Sequence, residues 1–418
     1  MTDRSSPRLS VDLFLVSFLI LFMELACIRW FGSTVVFLTF FTNIALLAAF
    51  LGISVGCLAA TNRWNLIETV VPTLLAGMTL AWLVLHLFTR FTDVMIDVGG
   101  QGSPQQIFFG TEYRARDLAR FVVPLEAVAG TFFVLIALVF VGLGQVMGRG
   151  FAAMSNRIAA YTVNIAGSLA GIAAFALASY LRTPPLVWFG WTLALCLYFV
   201  PRPTLPRLLA PIGVLALLAF ATDTLPNVDT IWSPYYKITY HRDDKTIDTN
   251  NIGHQQMVDV AVAGAAYALP HLLNRDSGGA PFDGVLIVGA GSGNDVAAAL
   301  RLGARHIDAV EIDPAINDLG RRDHPNHPYA DPRVAVHIDD GRSFVRRTTR
   351  KYDLVVYALV DSLVLHSGFS NIRLESFLFT REAFADIRRV LKPDGLFVAY
   401  NFYRQPWLVG RLQSMMAG

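Results

Sequence analysis

The sequence predicts a multi-span α-helical membrane bundle followed by a parallel α/β domain. Three observations carry that prediction. Hydrophobic residues make up 54% of the 418 residues and charged residues only 16%, well outside the usual soluble range, and the apolar excess lies almost wholly before residue 225. Seven apolar runs occupy that half, at 11–31, 34–60, 66–89, 121–147, 157–181, 185–201 and 207–222; a bilayer crossing takes about 20 residues. Finally, the stretch Asp283–Asp313 reads strand, glycine turn, helix, strand. Three regions follow: a bundle over 1–224, a β-hairpin linker over 225–282 and an α/β domain over 283–418.

The first apolar run is too long for a cleaved leader and contains Glu24. Asn43, Glu126 and Asn164 also fall within spans, where polar groups face the bundle interior and either bond between helices or line a polar cavity. Gly142-Leu143-Gly144 and the Gly167-x-x-x-Gly171 spacing point to close helix packing. Cys27, Cys57 and Cys196 sit in apolar segments without metal spacing and read as small buried residues. The net charge of +2 comes with no basic run, so a nucleic-acid partner is not expected and the lipid bilayer is. The 91–120 connection is the one sizeable loop between spans and has no assigned role. The arginine bias between connections is slight. With seven spans that bias would place the C-terminal domain outside; cofactor supply instead sets the expectation of an inner-membrane, multi-pass protein with its C-terminal domain in the cytoplasm, and its N-terminus outside or the spans one fewer or more than seven.

Residues 225–282 change in character. Trp232–Tyr240 alternates like a strand, Asp243-Asp244-Lys245 reads as a hairpin turn, and Thr246–Ile252 reads as the returning strand. His254-Gln255-Gln256-Met257 then leads into a helix that runs through Tyr267 to Leu273.

Within the α/β domain, Val285–Val288 is a fully apolar run, as a strand buried on both faces should be. Gly289, Gly291 and Gly293 follow at once and let backbone approach a ligand beside a helix start. Glu311 ends the second strand about 20 residues further on, where a carboxylate can accept from both ribose hydroxyls. Asn294 and Asp295 replace the third glycine of the dinucleotide fingerprint. The pattern resembles the S-adenosylmethionine (SAM) site of class I transferases more than a nicotinamide site. Val334–Ile338, Tyr352–Leu359 and Leu396–Phe402 read as further strands, Leu391–Gly395 as a turn, and Thr380 as the N-cap of the helix before it. After Gln405–Gly418, one more helix, the sheet's last two strands are expected to be missing.

From Tyr235 to Trp407 the chain resembles the spermidine synthase family, especially its membrane-embedded bacterial members. The resemblance runs through Tyr-x-x-Ile, the hairpin, Gln255, Tyr267, Val-Leu-Ile-Val-Gly-x-Gly-x-Gly, Glu-Ile-Asp, Asp339-Asp340-Gly341, Tyr-Asp-Leu-Val-Val, Leu-Phe-Thr and Leu-Lys-Pro-Asp-Gly. It implies a Rossmann-like SAM-type domain behind a small N-terminal β element, with decarboxylated SAM or SAM as co-substrate and no metal. It also implies that Gly289, Gly291, Ser292, Gly293, Glu311, Asp340 and Gly341 hold the nucleoside, Asp340 (or Asp339) accepting from the adenine amino group. Tyr236, Gln255 and Tyr267 fall where the family binds its acceptor.

The chain also departs from the family. Ser292 stands where spermidine synthases typically carry the Asp that pairs with the donor amine and repels the carboxylate of intact SAM. Of the Asp pair after strand four only Asp361 is present; the first position is Ala358. Asn250-Asn251 takes the place of Leu-Asp-Gly, and Tyr267-Ala268-Leu269 that of Tyr-His-Glu. Asp361 and Tyr357 are therefore the catalytic candidates, with His366 nearby. Three readings follow: an aminopropyltransferase-like enzyme with a small amine acceptor, a SAM-dependent methyltransferase acting on a membrane-associated acceptor, and a non-catalytic transporter or sensor with a nucleoside-binding domain. A homodimer is compatible with each.

Overall fold

The computed structural model describes residues 6–35, 38, 42–90, 94–97, 121–200, 205–220, 226–263, 265–358, 377–400 and 406–417. Two compact units are present. One holds residues 1–99, 114–239 and 249–251, and the other 100–113, 240–248 and 252–418, so the division falls inside the segment expected to be a linker.

Among the described residues the first unit holds seven helices: α1 (Ser6–Thr34), α2 (Thr42–Leu58), α3 (Ile67–Arg90), α4 (Leu125–Ala153), α5 (Arg157–Tyr180), α6 (Pro185–Phe199) and α7 (Leu205–Phe220). Two short parallel strands, β1 (Val94–Asp97) and β2 (Phe121–Pro124), lie between α3 and α4. Five of the helices are long and apolar enough to cross a membrane; Pro185–Phe199 and Leu208–Phe220 are apolar but shorter.

Glycines set the helix spacing. A Cβ on Gly144 would fall 2.4 Å from the Ile53 carbonyl oxygen of α2. On Gly167 and Gly171 it would fall 2.4 and 2.5 Å from the Phe14 and Phe18 carbonyls of α1. Backbone thus rests on backbone, the packing that a small-residue spacing permits. Ser17 Oγ donates to Asn164 Oδ1 at 2.8 Å, so Asn164 bonds between α1 and α5. Gln145 and Arg149, one turn apart on α4, hold the α2–α3 connection: Gln145 pairs with Leu66 N–H and the Ala59 and Trp64 carbonyls, and Arg149 with the Ala60, Asn62 and Trp64 carbonyls. The Arg29 guanidinium lies over the rings of Trp188 and Trp232 and donates to Ser179 Oγ and the Ser233 carbonyl.

Four strands, rather than one hairpin, precede the α/β domain: β3 (Val228–Trp232), β4 (Lys237–His241), β5 (Thr246–Thr249) and β6 (Ile252–Gln256), in the order β3-β4-β5-β6. Two corrections follow. The run Trp232–Tyr240 is broken at Ser233, whose hydroxyl accepts from Tyr235 and Tyr236 N–H and folds the chain back. Thr246–Ile252 is broken at Asn250 and Asn251, both in the left-handed region (φ 50° and 62°), the conformation of a tight hairpin turn. His254–Gln256 is accordingly strand, and helix begins only with α8 (Val260–Ala263) and α9 (Ala265–Asp276).

Among the described residues the second unit centres on five parallel strands: β7 (Gly284–Val288), β8 (His306–Glu311), β9 (Val334–Ile338), β10 (Tyr352–Ala358) and β11 (Leu391–Tyr400). Their order is β11-β10-β7-β8-β9. β7 is central, and Val285–Val288 are all buried, each side chain contributing about 1.5–3 kcal/mol of transfer free energy. Val285 and Ile287 face a core with Val296, Ala299 and Leu354, while Leu286 and Val288 face Val345, Phe384 and Ile387 on the other side. The connections are α10 (Asn294–Arg301), α11 (Pro314–Asp323), α12 (Gly341–Arg347) and α13 (Arg381–Val390); α14 (Pro406–Ala417) follows the last strand. Thr380 caps α13, its Oγ1 accepting from Ala383 N–H at 3.1 Å. The turn expected at 391–395 lies within β11 as an irregularity: Tyr352 pairs with Leu391 and Leu354 with Leu396, so the intervening residues bulge from the ladder.

Replacing Gly171 with Leu should lower the thermal midpoint of the detergent-solubilised protein, at a cost of about 1–3 kcal/mol from overpacking. Gly190→Ala, whose Cβ meets nothing within 4 Å, should leave it unchanged or raise it. Equal midpoints for Gly171→Leu and wild type would contradict the close α1–α5 contact.

Candidate functional site

The chain reverses its strand order at β7, with β8 on one side and β10 on the other. Ligands of such sheets bind beyond the strand ends at that switch, where Gly289–Gly293 lies. Gly289 and Ala290 both donate backbone N–H to the Val310 carbonyl. Gly289, Gly291 and Gly293 have φ of 77°, 57° and 112°, a region in which side chains are strained. At Gly291 a Cβ would fall 2.7 Å from Gln255 Oε1, so the Gln255 amide would have to move.

Glu311 closes β8 against this turn. Its Oε2 accepts from Gly291 N–H at 2.7 Å and its Oε1 from Asp313 N–H at 2.8 Å. Each oxygen keeps a second lone pair, so the carboxylate can also accept from a diol. Burial pushes its pKa up to about 7, against the pull of those two N–H groups. Asp340 and Gly341 reach the same corner: a Cβ on Gly341 would touch Val288, the last residue of β7. Asp340 caps α12, Oδ1 accepting from Ser343 N–H at 2.7 Å. Asp339 instead pairs with Arg347 and accepts Asp340 N–H.

Ser292 is fully buried, and both its N–H and its hydroxyl donate to Gln255 Oε1, at 2.9 and 2.7 Å. Gln255 therefore braces the turn from β6. Tyr267 accepts from Asn294 Nδ2 at 3.1 Å. Asn294 also donates to the Gln256 carbonyl, while its Oδ1 accepts from Val258 N–H and faces His324 Nε2 at 3.0 Å. Tyr236 belongs to the first unit, in the turn before β4, its carbonyl accepting from Ser233. Asp361 and His366 lie outside the described residues.

Tyr357 requires a correction. The pleat turns it onto the α13 face, buried between the rings of Phe379 and Phe397 at 6.0 and 5.1 Å. Its hydroxyl has no partner among the described residues, and burial raises its pKa. Among the described residues its side chain packs in the aromatic core on the α13 face. Its neighbour Ala358 faces the α10 side, with Leu354 and Val356.

Three contributors escape the sequence reading. Tyr329 donates to the Gly291 carbonyl at 2.7 Å. Tyr400, at the end of β11, reaches both oxygens of Asp295 at 2.8 and 2.7 Å. Asp295, in the first turn of α10, is driven up to about 7 by burial, with the Tyr400 hydrogen bond opposing. No motif announces Tyr329 or Tyr400; Asp295 is visible as an acid directly after the glycine turn. Among the described residues no cluster of potential metal ligands occurs.

The switch-point glycine turn with a carboxylate closing the next strand has the form of the class I SAM-dependent transferase fold. More particularly, residues 280–415 match the spermine/spermidine synthase domain. The chain is 37% identical over 137 residues to a polyamine aminopropyltransferase of Klebsiella pneumoniae subsp. pneumoniae, covering 30% of this chain and 43% of that protein. It is 35% identical over 126 residues to one of Clostridium perfringens, covering 29% and 41%. The chain thus spans less than half the length of these relatives. Among solved structures it is similar to a spermidine synthase in complex with the transition-state analogue AdoDATO (TM-score 0.35, 21% identity, 44% of this chain and 60% of that one). Spermidine synthase from Thermotoga maritima gives 0.34, 18%, 44% and 59%.

Tyr400→Phe removes the hydroxyl that donates to the buried Asp295 carboxyl and should cost about 1–3 kcal/mol in urea unfolding at pH 8. The sign with pH follows from linkage. Asp295 has a raised native pKa, so its favourable contribution is complete below its unfolded value and is lost as pH rises through about 7. The penalty should therefore shrink at pH 5, where the native carboxyl is already protonated.

Proposed function

We propose that this chain is a membrane-anchored transferase of the spermidine synthase type, moving an aminopropyl group from decarboxylated SAM to a small amine. One observation carries this reading: in a spermine/spermidine synthase domain, the Glu311 carboxylate lies 2.7 Å from Gly291 N–H at the sheet's switch point. The residues fit the nucleoside. The turn adopts the left-handed conformation its glycines permit, Glu311 retains lone pairs for the ribose hydroxyls, and Asp340 stands at the end of β9 for the adenine amino group. The bound donor supplies a sulfonium-activated carbon: the amine lone pair forms the C–N bond, the C–S pair returns to sulfur, and the amine proton passes to a base. Gln255 and Tyr329 hold the turn in shape from either side, which keeps the reacting carbon in register with the acceptor. Asp361 is the residue proposed as base.

Ser292 favours a second reading, transfer of methyl from intact SAM to a membrane-associated acceptor. No carboxylate stands at that position to repel the SAM carboxylate, and the hydroxyl is committed to Gln255. The membrane placement rests on the five long apolar helices. The cytoplasmic placement of residues 283–418 rests on where such donors are made, and a homodimer remains part of the proposal.

Calorimetric titration with both nucleosides, with product mass spectrometry, tests the pair. Tighter binding of decarboxylated SAM and an aminopropylated amine are expected; tighter SAM binding with a methylated product would replace the first reading by the second. Nucleoside affinity should climb with pH through about 7, since only ionised Glu311 accepts fully from the ribose. Glu311→Gln should flatten that climb and cost about 1–3 kcal/mol. An unaltered profile in the variant would remove Glu311 from the site.

A further inference from the structure

Polar groups beyond the strand ends follow the order of the sheet, β9, β8, β7, β10, β11. Asp340 follows β9, Glu311 ends β8, and the glycine turn follows β7. On the far side of the turn Ala358 ends β10, and Tyr400 ends β11 beside it. Neither carries a carboxylate. The acid on that side comes from α10: Asp295, in its first turn, receives the Tyr400 hydroxyl at 2.8 and 2.7 Å. A nucleoside with its base toward Asp340 and its ribose on Glu311 points its sulfur substituent across the turn to this side.

Asp295 is 9% exposed, and no ammonium or guanidinium pairs with it among the described residues. A buried carboxylate without a counter-charge is costly. One hydroxyl hydrogen serves both of its oxygens, so each oxygen keeps lone pairs for a further donor. Three phenols face it: Tyr267 from α9, Tyr400 from β11, and Tyr329. The rings of Tyr267 and Tyr400 meet edge to face at 6.5 Å. Burial raises the pKa of all three, so none ionises near neutrality. Of these four groups only Asp295, which burial lifts to about 7, changes charge there. Ser292 is neutral, and its hydroxyl is spent on Gln255, so the turn's own side chain brings no charge to the ligand.

We infer that Asp295 is the residue that chooses the donor: its carboxylate binds the primary ammonium of the aminopropyl tail and repels the carboxylate that intact SAM carries on the same tail. A cationic tail gains a charge-assisted hydrogen bond where water is scarce, while a tail bearing a carboxylate sets like charge beside like. The inference rests on the nucleoside reading of the crevice and adds to it a specificity residue supplied by the helix and not by the turn.

Three unreactive adenosine thioethers isolate the tail: one bearing a propyl group, one an aminopropyl group, and S-adenosylhomocysteine. Each is titrated calorimetrically into the full chain in detergent micelles. Wild type should bind the aminopropyl compound tightest. Asp295→Asn should weaken that compound about tenfold or more and leave the propyl compound unchanged, erasing the preference over S-adenosylhomocysteine. Asp295→Glu, which restores the charge, should recover part of the preference. The ratio of aminopropyl to propyl affinity should climb with pH through about 7 in wild type, as Asp295 ionises, and stay flat in Asp295→Asn. Glu311 meets the same ribose in both compounds and drops out of that ratio. Binding of the propyl compound also reports that each variant is folded. If the propyl compound binds and the ratio is the same in wild type and Asp295→Asn, Asp295 has no part in donor choice and the nucleoside reading stands. If no thioether binds wild type, the nucleoside reading falls and this inference with it.

Discussion

Glu311 is a carboxylate buried beside the glycine turn at the sheet's switch point, and two backbone N–H groups hold it there. Taking a carboxylate out of water is costly unless hydrogen bonds replace its hydration. Gly291 and Asp313 supply them, and in doing so the carboxylate fixes the curve of the turn that donates. The rest of the site depends on that curve. Tyr329 can reach the Gly291 carbonyl, and Gln255 the Ser292 N–H, only because the turn presents those groups outward in this order. A left-handed Gly291 is what allows a donor and an acceptor of neighbouring peptides to be used on opposite sides.

Around the turn the polar groups form an almost closed network. Asn294 spends both ends of its amide, on Gln256, Tyr267, Val258 and His324, and ties α10 to the segment between β6 and α9. Ser292 puts a neutral group where the resemblance leads one to expect an acid. Three residues later Asp295 is an acid, and Tyr400 covers both of its oxygens. The local charge therefore differs in kind from a turn carrying an exposed acid: two buried carboxyls with raised pKa values, each satisfied by the protein itself. The bundle solves a related problem with small residues, where Gly144, Gly167 and Gly171 let backbones meet and Ser17 with Asn164 satisfies polar groups between helices.

Much of this was legible because it is local. An apolar run followed by alternating glycines and a terminal acid specifies strand, turn and strand within one βαβ unit, and Thr380 specifies a cap through its position alone. The readings that failed concern pairing and facing. Trp232–Tyr240 and Thr246–Ile252 alternate well enough to pass as single strands, but Ser233 and the pair Asn250–Asn251 each fold the chain back. Asn-Asn is a usable hairpin turn, and only the neighbouring strands show that it is used here. Tyr357 ends a strand at the ligand side, as expected of a site residue. Strand alternation then decides which face it takes, and it takes the aromatic core of α13.

The amino-acid sequence by itself determined the seven apolar segments, the parallel α/β domain, the glycine turn and the acid that ends the next strand, because each is a pattern among residues close in the chain. Tertiary structure alone decided that Gln255 braces the turn, that Tyr400 covers Asp295, and that Lys245 reaches the Asp323 carbonyl. Those pairs are separated by tens to more than a hundred residues, and only the folded backbone brings such distant polar atoms within hydrogen-bonding range.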